Sequence, residues 1–303
     1  MSRLACYLTF FILFFTLCPI SGRSQESMNL SLLEDSLASL NRKIQKSDKD
    51  SIRQSLNLIF RETLKKAIEL PGSFNYPFDS LNKLSKMTSG DKKFRIYNWN
   101  IPFTDGSNLF FCFIQILVKD KKNTFRIIEL KDRSDSIPDP EHCSLTSGIW
   151  YGALYYKIIP ENSETGMIYT LLGWEAKNPS EMQKIIEILT FDDQDFPHFG
   201  KKIFNKYKDG ENKRVIFKYS PLTTMVLRYE EQALSRGKKW NPAKKTFQEK
   251  HSKASMIVCD RLITVEGTEG KVPLLVPAGD VYDGFLFENN RWNFIESVDA
   301  RNK

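Results

Sequence analysis

Residues 148–191 read GIWYGALYYKIIPENSETGMIYTLLGWEAKNPSEMQKIIEILTF and are the most informative part of the sequence about the fold. Its first part, Ile149 to Ile159, is rich in Tyr, Leu and Ile, which favour a pleated, half-buried strand. Pro160 to Gly166 contains turn-forming residues, and Met167 to Trp174 is a continuous apolar run, typical of a strand buried on both faces. The sequence therefore predicts an antiparallel hairpin with a longer loop.

The pattern changes after this hairpin. Asn178 and Glu181 have the spacing of a capping box, and Pro179 suits the first position of a helix. Four apolar residues then recur with the spacing of one helical face, namely Met182, Ile185, Ile186 and Leu189. We therefore expect one helix here, packed on the hairpin and followed by a short strand that ends at Phe191.

The N-terminus has the pattern of a secretory signal. Arg3 supplies a positive charge, and Leu4 to Leu17 is almost wholly apolar. Gly22 and Ser24 place small residues at the third and the last position before a cut that would leave Gln25 first. The sequence predicts export to the periplasm or the cell surface.

Two other readings of the N-terminus place the protein on a membrane. An uncleaved anchor is one, although the apolar run is shorter than the roughly 18–20 residues that a membrane span needs. A lipoprotein anchor at Cys18 is the other, although the bulky Leu17 just before it fits poorly.

Composition is that of an ordinary globular protein of one large domain or two smaller ones. The chain has 303 residues, of which 41% are hydrophobic and 27% charged. Removal of residues 1–24 takes away Arg3 and Arg23 and no acid, which lowers the net charge from +7 to +5. A mildly basic, widely spread charge permits attraction to anionic surfaces and does not indicate nucleic acid.

Three cysteines remain after such a cut, Cys112, Cys143 and Cys259. One disulfide and one free thiol would suit an oxidising compartment. Cys112 and Cys259 lie in apolar, strand-like runs, however, and this favours small buried hydrophobic residues over a disulfide.

Two amphipathic helices follow the signal. The first has a stripe of apolar residues, Leu30, Leu33, Leu37, Leu40 and Ile44. The second has another, Ile52, Leu56, Ile59, Phe60, Leu64 and Ile68. The polar residues 48–51 separate them and Pro71-Gly72 ends the second, so an antiparallel pair is predicted. These helices could also bind a protein partner of the envelope.

A short third helix is predicted from the spacing of Leu81, Leu84 and Met87. From Lys93 onward the sequence predicts strands with turns between them. The first turn is at Asp105-Gly106. The predicted strands outside residues 148–191 are Lys93–Asn100, Leu109–Val118, Thr124–Leu130, Lys213–Tyr219, Thr224–Tyr229, Ser255–Cys259, Leu262–Val265, Gly284–Phe287 and Arg291–Ile295.

The fold class predicted from these patterns is α+β. It consists of an N-terminal helical pair followed by a large, mainly antiparallel β domain with one packed helix. The expected domain organisation is a signal peptide at 1–24, a helical segment at 25–90 and a β-rich domain at 91–303.

Six segments together resemble a group of exported, uncharacterised proteins of Bacteroidota, for which no activity is known. They are KFRIYNWN at Lys93–Asn100, YTLLGW at Tyr169–Trp174, IIEILTF at Ile185–Phe191, KRVIFKY at Lys213–Tyr219, MVLRYEE at Met225–Glu231 and VDARN at Val298–Asn302. The resemblance covers roughly residues 90–303 in order and implies periplasmic or surface residence. The insert between Glu231 and Ser255 is longer than the tight turn that the resemblance implies.

No catalytic, cofactor or metal-binding pattern stands out. His142, His198 and His251 lack the spacing of a metal motif. Glu141 and Cys143 flank His142 and so bring together the residue types of a thiol nucleophile and its base, but adjacent residues rarely face one another.

Asp193 and Asp195 offer hard oxygen ligands to Ca²⁺. An EF-hand is excluded, because His198 and Phe204 occupy the positions that need Gly and Glu. A non-standard Ca²⁺ site and a plain acidic turn remain as readings.

A basic loop at 236–253 combines seven Lys and Arg residues with Trp240 and Phe247. It suits an anionic glycan or a lipid surface, or else is a solvated hairpin tip. The five tryptophans form a pool for a sugar platform or for the core, namely Trp99, Trp150, Trp174, Trp240 and Trp292. Glu129 and Glu175 could be paired acids of a glycoside hydrolase.

These observations favour a non-enzymatic, exported accessory or binding protein of the cell envelope. The alternative is a carboxylate-dependent hydrolase, and a third reading is a purely structural envelope component.

Overall fold

The chain is described by a computed structural model over residues 21–118, 124–241, 246–265 and 274–299. Side chains are described over residues 29–118, 124–234, 252–265 and 275–299. The apolar part of the predicted signal and the predicted turn at 120–123 lie outside the described residues.

The N-terminal helical pair is confirmed. Helix α1 spans Ser21–Lys46 and helix α2 spans Asp50–Glu69. The chain leaves α2 where Pro71 forbids a further helical turn, and Gly72 then adopts a positive φ of 79°. No helix in the described residues has both the length and the apolar character that are needed to cross a membrane.

The α+β class is also confirmed, because the two helices precede three largely antiparallel sheets. The first sheet has four strands in chain order, β1 (Ser85–Thr88), β2 (Phe94–Pro102), β3 (Asn108–Leu117) and β4 (Phe125–Leu130). This is the predicted meander with one strand added at its start.

The predicted third helix is wrong. Met87 lies in β1 and pairs with Ile96 of β2. Leu81 and Leu84 are buried in turns, where the Leu84 N–H donates to the Leu81 carbonyl over 3.2 Å. Three apolar residues are too few to form a stable helix, and pairing with β2 gives this segment more backbone hydrogen bonds.

The first sheet lies between two apolar cores because successive side chains of a strand point to opposite faces. In β2, Tyr97 and Trp99 pack with the helices, whereas Phe94 and Ile96 pack with the second sheet. The helices are therefore joined to the β region by a continuous core. Their inner stripe, for example Leu64 with 0% exposure, belongs to this core.

The second sheet contains most of residues 148–191. Its six strands are β5 (Leu145–Thr146), β6 (Leu154–Ser163), β7 (Gly166–Glu175), β8 (Met182–Phe191), β9 (Pro197–Phe199) and β11 (Val215–Tyr219). The predicted β6–β7 hairpin is confirmed, but its loop is tight rather than long. Ser163 pairs with Gly166, and Pro160 lies within β6, which tolerates proline because β6 is an edge strand.

The helix predicted after this hairpin is wrong, because Met182–Phe191 forms strand β8. Ile185 and Leu189 face the core beneath the first sheet, whereas Ile186 and Ile188 face the third sheet. A strand buried on both faces has a nearly continuous apolar sequence, and short runs of that kind also match helical spacing. Asn178 does start a local turn, but the chain then extends.

The third sheet has five strands in the order β10, β15, β14, β13, β12. The strands are β10 (Phe204–Asn205), β12 (Leu227–Asn241), β13 (Thr246–Val265), β14 (Leu274–Glu288) and β15 (Arg291–Val298). The predicted closing turn is confirmed, since Asn289 and Asn290 have φ values of 54° and 63°. The long insert is the far end of the β12–β13 hairpin.

Candidate functional site

A cleft of about 350 Å³ lies between β11 and the third sheet, at a place where that sheet is irregular. The β13–β14 register shifts between Asp260 and Leu262, and the β14–β15 register shifts between Tyr282 and Gly284. Two shifts on adjacent strand pairs interrupt the ladder at one level. Such bulges redirect side chains and are frequent beside functional sites. We call this feature the inter-sheet cleft.

The walls of the inter-sheet cleft are largely aromatic and aliphatic. The apolar lining residues are Tyr207, Ile216, Phe217, Leu262, Leu275 and Phe294. The rings of Tyr207 and Phe294 pack edge to face, with centroids 5.2 Å apart. Burial raises the pKa of Tyr207, so its phenol remains neutral and can act as a hydrogen-bond donor. A concave, mostly apolar pocket with a few polar groups is the usual form of a small-molecule site.

Two carboxylates line the cleft and differ in their partners. The Arg261 side chain donates to Asp283, with Nε 3.0 Å from Oδ2. Asp283 Oδ1 also accepts the Ser297 N–H over 3.0 Å, at a residue whose φ is 57°. Asp283 thus stabilises the irregular part of β14 and β15, and it is fully occupied by the protein itself.

The carboxyl group of Asp260 can accept a further hydrogen bond from a ligand. Its Oδ2 accepts the Val226 N–H over 2.7 Å, whereas its Oδ1 accepts no hydrogen bond from the described residues. The residue is only 6% exposed. Burial raises the pKa of Asp260, opposed by the Val226 N–H and the charge of Arg228. A carboxyl oxygen that accepts no hydrogen bond from the protein can accept one from a ligand donor.

Basic groups at the rim of the cleft are paired with acids. Lys208 Nζ lies 2.7 Å from Glu141, and Lys218 Nζ lies 3.3 Å from Glu181. The rim is therefore polar but nearly balanced in charge, and the apolar walls dominate recognition.

A second, more polar pocket of about 270 Å³ lies beside β7. Its lining consists of hydrogen-bonding side chains, namely Ser134, Asp135, Tyr151, Glu175, Lys177, Asn178, Glu181 and Gln183. Glu175 is 3% exposed, and its Oε1 accepts the Lys177 N–H over 2.6 Å. Burial raises the pKa of Glu175 to about 7. We call this feature the Glu175 pocket.

The structure does not bring the two predicted acids together. Glu129 lies on β4 and faces Arg61 of α2, with the ionic groups 3.4 Å apart. Glu175 has a different set of charged neighbours, which are Asp132, Lys177 and Glu181. The spacing in the sequence carried no information on this separation.

The predicted thiol arrangement is not assembled either. Glu141 accepts hydrogen bonds from Lys208 and Asn212. His142 Nδ1 lies 2.9 Å from both carboxyl oxygens of Asp139, which is the main cause of its raised pKa. The backbone carbonyl of Cys143 accepts from Arg214 over 3.0 Å. These residues therefore hold a loop against β11 instead of forming a nucleophile–base pair.

Metal-ligating side chains do not converge among the described residues. Asp195 pairs with Lys93 over 2.9 Å, and its neighbour Asp193 is exposed. His198 lies 3.2 Å from Asp192, which organises the same turn through its backbone contacts. The side chain of His251 lies outside the described residues.

Core packing accounts for three of the tryptophans. Trp99, Trp150 and Trp292 are at most 5% exposed, and each indole N–H donates to an internal acceptor. Trp174 is partly buried and packs edge to face with Phe110, whereas the side chain of Trp240 is not described. Where they are described, the tryptophans do not form a sugar platform.

The basic loop forms a two-stranded ribbon. β12 and β13 pair as far as Asn241 and Thr246, whereas β14 joins β13 only from Ile257 onward. Side chains 235–251 are not described, so binding of an anionic surface by the loop at 236–253 stays a prediction. On the helices, several apolar side chains are exposed, namely Leu32, Ile52, Leu58 and Ile59.

Comparison with protein-family models, curated proteins and solved structures gives no match for the chain. The resemblance to exported proteins of Bacteroidota stays a prediction.

Sequence reasoning missed the inter-sheet cleft. Its residues come from seven separated segments that only the folded chain brings together. A weak signal did exist, since DR at 260–261 and YD at 282–283 interrupt two apolar strand sequences with charge.

Proposed function

We propose that this protein is a non-enzymatic, exported protein of the cell envelope that binds a small amphipathic molecule in the inter-sheet cleft. The ligand has an aromatic or aliphatic body and one hydrogen-bond donor. Export is supported by the signal pattern of residues 1–24.

The observation that carries this proposal is the free oxygen of Asp260. The Asp260 carboxyl is 6% exposed, lines an apolar cleft, and uses only Oδ2 for the backbone of the described residues. A ligand N–H or O–H that reached Oδ1 would complete the set of hydrogen bonds.

The apolar walls set the affinity. Burial of apolar ligand surface contributes roughly 25 cal/mol per Å² before the cost of lost motion is subtracted. Tyr207, Phe217 and Phe294 offer flat faces and edges, and this favours a planar or chain-like ligand over a bulky polar one. The paired charges of the rim orient the ligand more than they add to its binding energy.

Titration with N-phenyl-1-naphthylamine tests the proposal. This probe has an apolar aromatic body and a single N–H donor, and its fluorescence rises in an apolar environment. We expect saturable binding to the purified protein, and competition by ligands that share its chemistry.

Two matched leucine substitutions locate the binding. Leu275 lines the cleft and is 37% exposed, whereas Leu222 is 86% exposed and lies outside it. Leu275→Trp should fill the cleft and weaken binding at least tenfold, and Leu222→Trp should leave it unchanged. Equal binding by both variants, or no saturable signal from the wild type, would contradict the proposal.

A further inference from the structure

The Glu175 pocket differs from the inter-sheet cleft in its chemistry. Its lining includes three carboxyl groups, of Asp135, Glu175 and Glu181, and the carboxyl of Asp132 lies close behind. Two ammonium groups compensate them, since Lys177 lies 2.9 Å from Asp135 and Lys218 lies 3.3 Å from Glu181. The pocket therefore has more acid than base, although the whole chain is basic.

Two carboxyl oxygens, one of Glu175 and one of Asp132, accept no hydrogen bond from the described residues. Glu175 is 97% buried and uses only Oε1, which accepts the Lys177 N–H. Asp132 uses Oδ1 for Ser134, whereas its buried Oδ2 has no partner. Acceptors in excess of donors make an environment that favours a proton or a cation.

Neutral groups around these acids can bind hydroxyls. The Tyr151 O–H donates to Gln183 over 2.8 Å, and Gln183 in turn donates to Glu181 over 3.1 Å. The network fixes the side chains before a ligand arrives, and Ser134 and Asn178 add further polar atoms at the pocket wall. Hydroxyl and amide groups around a carboxylate match a ligand that carries both hydroxyls and a positive charge.

We propose that the Glu175 pocket binds a small organic cation, a polyhydroxylated primary amine, whose ammonium group donates to Glu175. The ammonium takes the place that a proton otherwise occupies on this carboxyl. This site is separate from the inter-sheet cleft, so either of the two proposals can fail alone.

The proton and the cation compete, and this makes the binding depend on pH. The titratable and charged groups that face Glu175 or its network are Asp132, Asp135, Tyr151, Lys177, Glu181 and Lys218. Burial raises the pKa of Tyr151, so its phenol stays neutral near neutral pH. Glu175 is thus the group whose charge changes near neutral pH. Cation affinity should rise with pH until Glu175 is ionised and then level off.

Calorimetric titration with glucamine and with sorbitol tests the proposal. These six-carbon polyols differ only in the terminal group, which is an ammonium in glucamine and a hydroxyl in sorbitol. We expect glucamine to bind at a pH of about 8 and to bind about thirtyfold more weakly at about 5.5, with release of a proton on binding at the lower pH. Sorbitol should not bind at either pH.

One isosteric substitution tests the site, and a second one outside the site is its control. Glu175→Gln should weaken glucamine binding at least tenfold and remove the pH dependence. Glu129→Gln, at a carboxylate on β4 that faces Arg61, should change neither.

Several results would overturn the proposal. They are equal binding of glucamine and sorbitol, glucamine affinity that does not vary with pH, no glucamine binding at tens of millimolar, or normal binding by Glu175→Gln. If Glu175→Gln does not fold, the comparison of the two ligands at two pH values in the wild type decides alone.

Discussion

Arg214 and Glu187 form an ion pair that is completely buried, with both side chains 0% exposed and Nε 2.7 Å from Oε2. Glu187 lies in the middle of β8, and Arg214 lies just before β11. The same guanidinium donates to the backbone carbonyls of Pro140 and Cys143. The pair therefore fastens the loop that carries His142 to the sheet that forms one wall of the inter-sheet cleft.

Removal of the arginine should be strongly destabilising. Burial raises the pKa of Glu187 and the charge of Arg214 opposes this, so Arg214→Met leaves a carboxyl in an apolar environment without its partner. We expect a loss of about 3–5 kcal/mol in the free energy of unfolding, measured with urea. The double variant Arg214→Met, Glu187→Leu should lose less than the single variant.

An exposed ion pair provides the control for this prediction. Lys202 and Glu211 are 49% and 57% exposed, so Lys202→Met should cost less than about 1 kcal/mol. A loss as small for Arg214→Met would show that the buried pair does not stabilise the fold.

Gly152 is predicted to tolerate no side chain. Its φ is 78°, and an added Cβ would lie 2.5 Å from the Asp132 carboxyl group. Gly72 has nearly the same φ, 79°, with nothing within 4 Å of its added Cβ. Gly72→Ala should therefore cost about 1–2 kcal/mol from backbone strain alone, and Gly152→Ala should cost about 1–3 kcal/mol more from the clash. Chemical denaturation of both variants measures the difference, and equal losses would contradict the close approach to Asp132.

Stability should fall with rising pH because of Glu175. Burial raises the pKa of this group in the folded protein from an ordinary 4.5 to about 7. At a pH below both values the carboxyl is protonated in the folded and unfolded states and contributes nothing. Between them the unfolded state loses its proton first, so stability declines up to a pH of about 7 and then stays constant.

The total decline from this group is about 3 kcal/mol. Glu175→Gln has no carboxyl to titrate, so the variant should gain this amount relative to the wild type between a pH of about 4.5 and one of about 8. Urea unfolding at several pH values measures the difference, and contributions from other groups such as Asp260 cancel in the comparison. A difference that is constant with pH would contradict the raised pKa.

Of the three cysteines that the structure describes, only Cys143 should react in the native protein. Cys112 and Cys259 are both 1% exposed, and burial raises the pKa of each thiol. Cys143 is free and partly exposed. An aromatic disulfide reagent should therefore modify Cys143 quickly and the other two only after unfolding, and Cys143→Ser should abolish the fast phase. Rapid reaction of all three, or a missing thiol in denaturant, would contradict this packing.

Regular features of the fold could be predicted from the sequence because they depend on neighbours in the chain. The two helices, the meander from Lys93 and the Asn289-Asn290 turn are of this kind. Ile52 and Ile59 were predicted to lie on the buried stripe of α2, but they are exposed. β8 could not be predicted, because burial on both faces gave its isoleucines a spacing that also fits a helix. The burial of Glu187 could not be predicted either, because its partner Arg214 lies in a distant part of the sequence.

The candidate sites depend on residues that are distant in the sequence. Asp260 matters because Val226 and the register shifts of the third sheet place it beside Phe217 and Phe294. No local pattern encodes that arrangement. Glu175 was selected from the sequence as a candidate acid, but its true neighbours come from the loop at 132–135 and from β8.

The most direct test of the inter-sheet cleft is to locate the bound probe by NMR. Nuclear Overhauser contacts between N-phenyl-1-naphthylamine and the protein report which side chains touch it. We expect contacts with the ring protons of Tyr207 and Phe294 and with the methyl groups of Leu275. Contacts instead with Leu58 and Ile59 on the exposed face of α2 would contradict it, because the probe would then bind an exposed helical surface and not the cleft.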